Sequence, residues 1–177
     1  PLGNLTELKS LNLANTGTRD ITPLAKLTRL EILNLTLNSV TDLSPLSKLE
    51  RLETLSLSAN HVRDLAPLEK LTHLKVLHLN ATEVSEIASL APLTDLETLW
   101  ASSSLVRDLS PLAKLTNLKT LDLSRTSVAD VSPLANLINL ESLKLAQLVK
   151  IDVSPLAKLD NLRSLSLENT PVVELSP

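Results

Sequence analysis

The chain has 177 residues, a formal net charge of -3, 43% hydrophobic residues, no Cys, no Met, one Trp and neither Phe nor Tyr. Without Cys there is no disulfide scaffold and no thiolate metal or redox site, and a pI near 5.6 argues against a nucleic-acid partner. No apolar run approaches the roughly 18 residues that span a bilayer, so membrane insertion is not expected. A core without Phe or Tyr must be built from small aliphatic layers, and that points to repetition.

Prolines stand at positions 1, 23, 45, 67, 111, 133, 155 and 177, a spacing of 22, broken only where Ser89 replaces the expected Pro and Pro92 follows. No insertion or deletion interrupts the series, so residues 1–177 read as a single array of eight 22-residue repeats. Each repeat changes its apolar period partway. Leu112, Leu115 and Leu118 are three apart, which suits a short 3₁₀ or α turn with one buried face. Leu121 and Leu123 are two apart, which suits a strand. Ser132 before Pro133 is expected to be the N-cap of the next turn. A single coil has no partner for its apolar face, so only stacked neighbours make a core.

The run LTNLKTLDLSRTSVADVSPLANLINLESLKL resembles a leucine-rich repeat array of the 22-residue class, which includes internalin-like and phosphatase-regulator proteins. The resemblance implies an α/β solenoid: a right-handed superhelix with a concave parallel β-sheet and short 3₁₀/α turns on the convex side. The family's Asn after the strand is kept at Asn38 and Asn60, becomes Thr16, Thr82, Ser104, Thr126 and Thr170, and is Leu148 once. A side-chain donor at this bend satisfies backbone carbonyls that the turn leaves unpaired. Leu148 has no such donor, and Lys150 stands where other repeats place Val. A local bulge is therefore expected at 147–151, with Val149 or Ile151 filling the vacant apolar slot.

Two charged columns read as structural. Asp20, Asp42, Asp64, Glu86, Asp108, Asp130, Asp152 and Glu174 precede the short turns, where capping and the helix dipole explain an acid and no metal is required. Lys9, Glu31, Glu53, Lys75, Glu97, Lys119, Glu141 and Arg163 open the strands, alternating in sign except from Glu31 to Glu53. Opposite charges across neighbouring strands favour this register.

Function is expected on the concave side. Its central column is Asn12, Asn34, Ser56, His78, Trp100, Asp122, Lys144 and Ser166. The two-residue strand period points Trp100 outward and puts Ala101 in a core slot that is Leu in the other repeats. The competing arrangement turns the indole inward to fill the space beside Ala101. An outward Trp on a rigid sheet is the kind of residue that anchors an interface. The partner-binding set is thus Trp100 with His78, Asp122, Lys144, Val76 and Ser56, and the expected ligand is a protein or peptide.

Catalysis is not expected, and no catalytic residue, metal or cofactor is assigned. Ser56 and His78 sit on adjacent strands as a nucleophile and base would, but the next strand offers Trp100 instead of an acid. The alternative role is an architectural spacer or sensor arm of a larger protein with flanking domains. At the ends Leu2, Leu5 and Leu8, and Leu167, Val172 and Leu175, are expected to be exposed for want of terminal caps.

Overall fold

The computed structural model describes residues 2–173. Pro1, Glu174 of the acidic column, Leu175 of the terminal apolar set and Pro177 of the proline series lie outside the described residues.

Each coil begins with a turn whose spacing is explained by its hydrogen bonds. Leu112 N–H donates to the Leu109 carbonyl, Leu115 to Leu112 and Leu118 to Leu115, at 2.9–3.0 Å. These are i→i−3 bonds, so one side chain in three faces inward, and the Leu spacing of three is the 3₁₀ period. The same short turn recurs from Thr22–Lys26 to Ser154–Lys158. A strand of three residues follows in each coil: β1 Ser10–Asn12, β2 Ile32–Asn34, β3 Thr54–Ser56, β4 Val76–His78, β5 Thr98–Trp100, β6 Thr120–Asp122 and β7 Ser142–Lys144. A two-residue strand, β8 Ile151–Asp152, precedes β9 Ser164–Ser166, and β10 Val172–Val173 closes the described chain.

The strands form an eight-stranded parallel sheet in the order β1 to β7 and then β9. The register is constant, with Leu11, Leu33, Leu55, Leu77, Leu99, Leu121, Leu143 and Leu165 successive partners. This is the solenoid that the repeat implies. In the sixth coil Leu112, Leu115, Leu118, Leu121, Leu123, Val128 and Val131 are all buried. Equivalent layers continue through one cluster from Ile21 to Leu159. Burial of each Leu side chain contributes about 1.5–3 kcal/mol, and the repeat lets adjacent layers share those contacts. At the ends Leu2 and Leu5 are exposed, while Leu8, Leu167 and Val172 pack partly against the core.

The bend after each strand holds one residue at positive φ, between 52° and 58°: Asn15, Leu37, Ala59, Ala81, Ser103, Arg125, Gln147 and Asn169. The next residue ties the bend down. Asn60 is buried and donates Nδ2 to the Leu35 and Leu57 carbonyls at 2.8 and 3.0 Å, while its Oδ1 accepts from the Val40 N–H at 2.9 Å. Where the Asn is replaced, the hydroxyls of Thr82, Ser104 and Thr126 each donate to the carbonyl three residues back at 2.7 Å. In these three the shorter side chain keeps the bond within its own coil, whereas the Thr170 hydroxyl donates to the Leu145 carbonyl of the preceding coil at 2.6 Å.

Two expectations are refined. The expected bulge is present: Ile151 pairs with Val172, one residue out of the 22-residue step that pairs Lys144 with Ser166. Ile151 takes the apolar slot at 1% exposure, Val149 and Lys150 point to solvent, and Leu148 is itself packed inward. Thr170 Oγ1 donates to the Leu145 carbonyl at 2.6 Å and accepts from the Leu148 N–H at 2.9 Å, so the next coil supplies the donor that Leu148 lacks. The capping expectation is corrected. Ser132 is the first residue of its turn, and the residue in the cap position, Val131, makes no side-chain bond. The carboxylate caps instead: Asp130 Oδ1 accepts from the Ser132 N–H at 2.8 Å. Asp20, Asp42, Asp64, Asp108 and Asp152 do the same two residues ahead. A carboxylate oxygen reaches an N–H two residues on as an Asx turn does, whereas Ser132 is already inside the turn.

Candidate functional site

The sheet's outward face brings the expected residues into one row. Ser56, His78, Trp100, Asp122 and Lys144 are successive register partners on β3 to β7. Trp100 points outward at 39% exposure, and Ala101 behind it is buried at 1%. The inward alternative is therefore not what the fold adopts: no insertion disturbs β5, so the strand period alone decides the facing.

The imidazole of His78 lies flat against the indole of Trp100, with ring centroids 4.1 Å apart and an interplanar angle of 9°. On its other side His78 Nδ1 meets Ser56 Oγ at 3.1 Å, and Ser56 is nearly buried. This braces the indole from one direction along the row. Burial pushes the His78 pKa below its ordinary value of 6.5 and so favours the neutral ring in the stack. Asp122 Oδ1 accepts the Ser124 N–H at 3.0 Å, and its Oδ2 lies 4.0 Å from Lys144 Nζ. Val76 stands in the neighbouring column, opposite Thr98, and is half-exposed. Asp122 does not reach His78, because the indole stands between them in the register.

The charged row at the strand entrances resolves into separate pairs. Lys9 binds Glu31 at 2.9 Å, Lys75 binds Glu53 at 2.9 Å, Lys119 binds Glu97 at 2.7 Å and Arg163 binds Glu141 at 3.1 Å. The like-charged step from Glu31 to Glu53 is the boundary between two such pairs. All are solvent-exposed, so water and salt screen them and they add little to stability. His61 and Arg63 both bind Glu83, away from the row that holds His78. Among the described residues no group of three or more His, Cys, Asp or Glu is placed to hold a metal ion, and no helix is long and apolar enough to cross a membrane.

One feature escapes the pattern of leucines. Asn117, Asn139 and Asn161 each donate Nδ2 to a carbonyl of the preceding coil, at Thr94, Thr116 and Ile138, with distances of 2.8–2.9 Å. Their 22-residue recurrence in the C-terminal half was the available signal.

A solenoid of short turns and parallel strands with this bend chemistry defines a leucine-rich repeat protein. The family model described as Leucine Rich repeats (2 copies) matches residues 6–48, 50–93 and 94–136, and the chain belongs to that family. Its relatives include internalins of Listeria monocytogenes str. 4b F2365. The crystal structure of an internalin (inlF) superimposes with a TM-score of 0.94 at 36% identity, over 98% of this chain and 52% of that one. The chain thus spans about half the length of that internalin. An internalin C2 (inlC2) structure matches with a TM-score of 0.76 at 32% identity, over 94% of this chain and 92% of that one. The plant peptide hormone receptor RGFR1, solved in complex with RGF2, shares the fold with a TM-score of 0.81 at 23% identity, over 95% of this chain and 29% of that one. A search of the curated proteins finds no match.

Proposed function

We propose that the chain is a non-catalytic recognition module that binds a protein or peptide on the concave face of its sheet. In this reading the eight coils act as one unit. Trp100 is the anchor, and His78, Asp122, Lys144, Val76 and Ser56 form its surround. The observation that carries the reading is the exposed indole, braced by His78 on a face that is otherwise mostly small and polar. Such a residue offers a large apolar area at little entropic cost, because its neighbour has already fixed its orientation.

A hydrolytic role draws only on the Ser56–His78 contact. Among the described residues, His78 Nε2 has no carboxylate partner to orient it. A triad needs that third group, and the residue after His78 in the row is the indole.

Photocrosslinkers placed singly at Ser102, beside the row, and at Ala113, on a short turn, test the face. The reading expects capture of a ligand from Ser102, none from Ala113, and at least about thirtyfold weaker binding of that ligand in Trp100→Ala. Capture confined to Ala113 would move the site to the turns. If the parent protein keeps its binding after deletion of the whole array, the array is a spacer.

A further inference from the structure

We infer that the niche between Trp100 and Lys144, floored by Asp122, takes a planar cation from the partner. An arginine guanidinium lies on the free face of the indole and donates its N–H groups to the Asp122 carboxylate. The inference rests on the concave-face reading above and names the partner chemistry at that site.

The geometry comes from the row. His78 on β4 covers one face of the indole at 4.1 Å, nearly parallel to it. The opposite face therefore looks toward β6, where the register places Asp122. Asp is much shorter than Trp, so the indole stands above the carboxylate as a wall. The far wall is the stem of Lys144 on β7. Strands are about 4.8 Å apart, so the two walls are separated by about 9.6 Å. One planar layer needs two van der Waals separations, about 7–8 Å, and two layers need three, about 10.5–12 Å. One layer against the indole therefore fits with about 2 Å to spare, and two do not.

The floor selects the charge. One oxygen of Asp122 is engaged by the Ser124 N–H. The other has only Lys144 at 4.0 Å, the outer limit of an ion pair. The Asp122 side chain is 18% exposed while that of Lys144 is 55% exposed. The acid is thus partly withdrawn from water, and its counter-ion is loosely placed and can be displaced. Guanidinium meets both surfaces at once, because it stacks on aromatic faces and presents its donors in one plane. An ammonium ion is a point charge and uses the slot less fully. The neutral imidazole behind the indole adds no opposing charge.

Trp100 is the only Trp in the chain, so its fluorescence reports the slot directly. The whole chain is titrated with three capped tripeptides: Ac-Gly-Arg-Gly-NH₂, its citrulline counterpart, which keeps the shape without the charge, and Ac-Gly-Glu-Gly-NH₂. The arginine peptide should give a saturable change, with the citrulline peptide bound at least about tenfold more weakly. Asp122→Asn, which retains an oxygen for the Ser124 N–H, should abolish the difference between the two. Lys144→Met, which keeps the stem as a wall and removes the charge, should tighten the arginine peptide about two- to fivefold by removing its internal competitor. Equal binding of arginine and citrulline, weaker arginine binding in Lys144→Met, or no saturable response to arginine would each overturn the slot. Saturable binding of the glutamate peptide that Lys144→Met removes would also overturn it while leaving Trp100 as the anchor. Loss of the anchor itself is read separately, from Trp100→Ala against the natural ligand.

Discussion

Asn60 gives the sharpest test of how the coils are held together. It is 4% exposed, bonds the Leu35 and Leu57 carbonyls and accepts from the Val40 N–H, so it joins two successive coils. Asn60→Ala leaves the Leu57 carbonyl and the Val40 N–H unpaired in the interior, while the Leu35 carbonyl keeps the Asn38 Nδ2 at 2.9 Å. Each unsatisfied group costs about 1–3 kcal/mol, and partial relaxation puts the total at about 2–4 kcal/mol. Thr126→Val removes the single bond to the Leu123 carbonyl and should cost about 1–2 kcal/mol. Asn60→Thr keeps the bond to its own coil and loses the two that reach the preceding coil, so it should fall between them. Urea unfolding followed by Trp100 fluorescence reads all three as midpoint shifts at constant slope. If Asn60→Ala costs no more than Thr126→Val, the cross-coil bonds do not stabilise the stack and the reasoning fails.

Three further outcomes concern the bends, the caps and the His78–Trp100 stack. Leu37 is exposed and sits at φ 58°, so Leu37→Gly should stabilise by about 1 kcal/mol; Gly17→Ala, at φ 69° with open space around it, should destabilise by a similar amount, and unchanged urea midpoints would refute both. The capping bonds hold Asp20, Asp108, Asp130 and Asp152 below the ordinary carboxylate value of 3.8. The folded state therefore binds fewer protons than the unfolded state below that value, and the caps' contribution is complete above about pH 5 and lost as pH falls through the folded pKa values. A triple Asp108→Asn, Asp130→Asn, Asp152→Asn chain should lose less stability between pH 5 and 2 than the parent, and equal losses would contradict the capping account. His78, lowered by burial, should charge only below pH 6.5. Trp100 fluorescence should then titrate with a midpoint under that value and cease to do so in His78→Gln; a midpoint above 6.5 would mean that the stack does not bury the imidazole.

The leucine spacing made the fold legible because two backbone periods, three for the turn and two for the strand, leave different marks in one 22-residue unit. The facing of Trp100 was legible for the same reason: a strand without an insertion cannot turn one side chain around. The bulge was legible as a place, since Leu148 and Lys150 both break their columns. The choice of Ile151 over Val149 was not, because it depends on a one-residue slip against Val172 in the next coil. Capping was legible for both Ser132 and the acidic column, and it is the Asp130 carboxylate that makes the bond; both residue types cap helices and only the start of the turn distinguishes them. The stack of His78 on Trp100 was beyond the pattern. Strand register places the two rings side by side, but their parallel orientation depends on rotamers and on the bond from Ser56.

The recognition account stands or falls on the affinity of Trp100→Ala for the ligand captured through Ser102, compared with Lys114→Ala on the opposite side of the coils. Deleting an anchor of this kind costs about 2 kcal/mol or more, so the account predicts at least about thirtyfold weaker binding in Trp100→Ala, a chain that still unfolds cooperatively in urea when followed by circular dichroism, and parent affinity in Lys114→Ala. Full affinity in Trp100→Ala would contradict it.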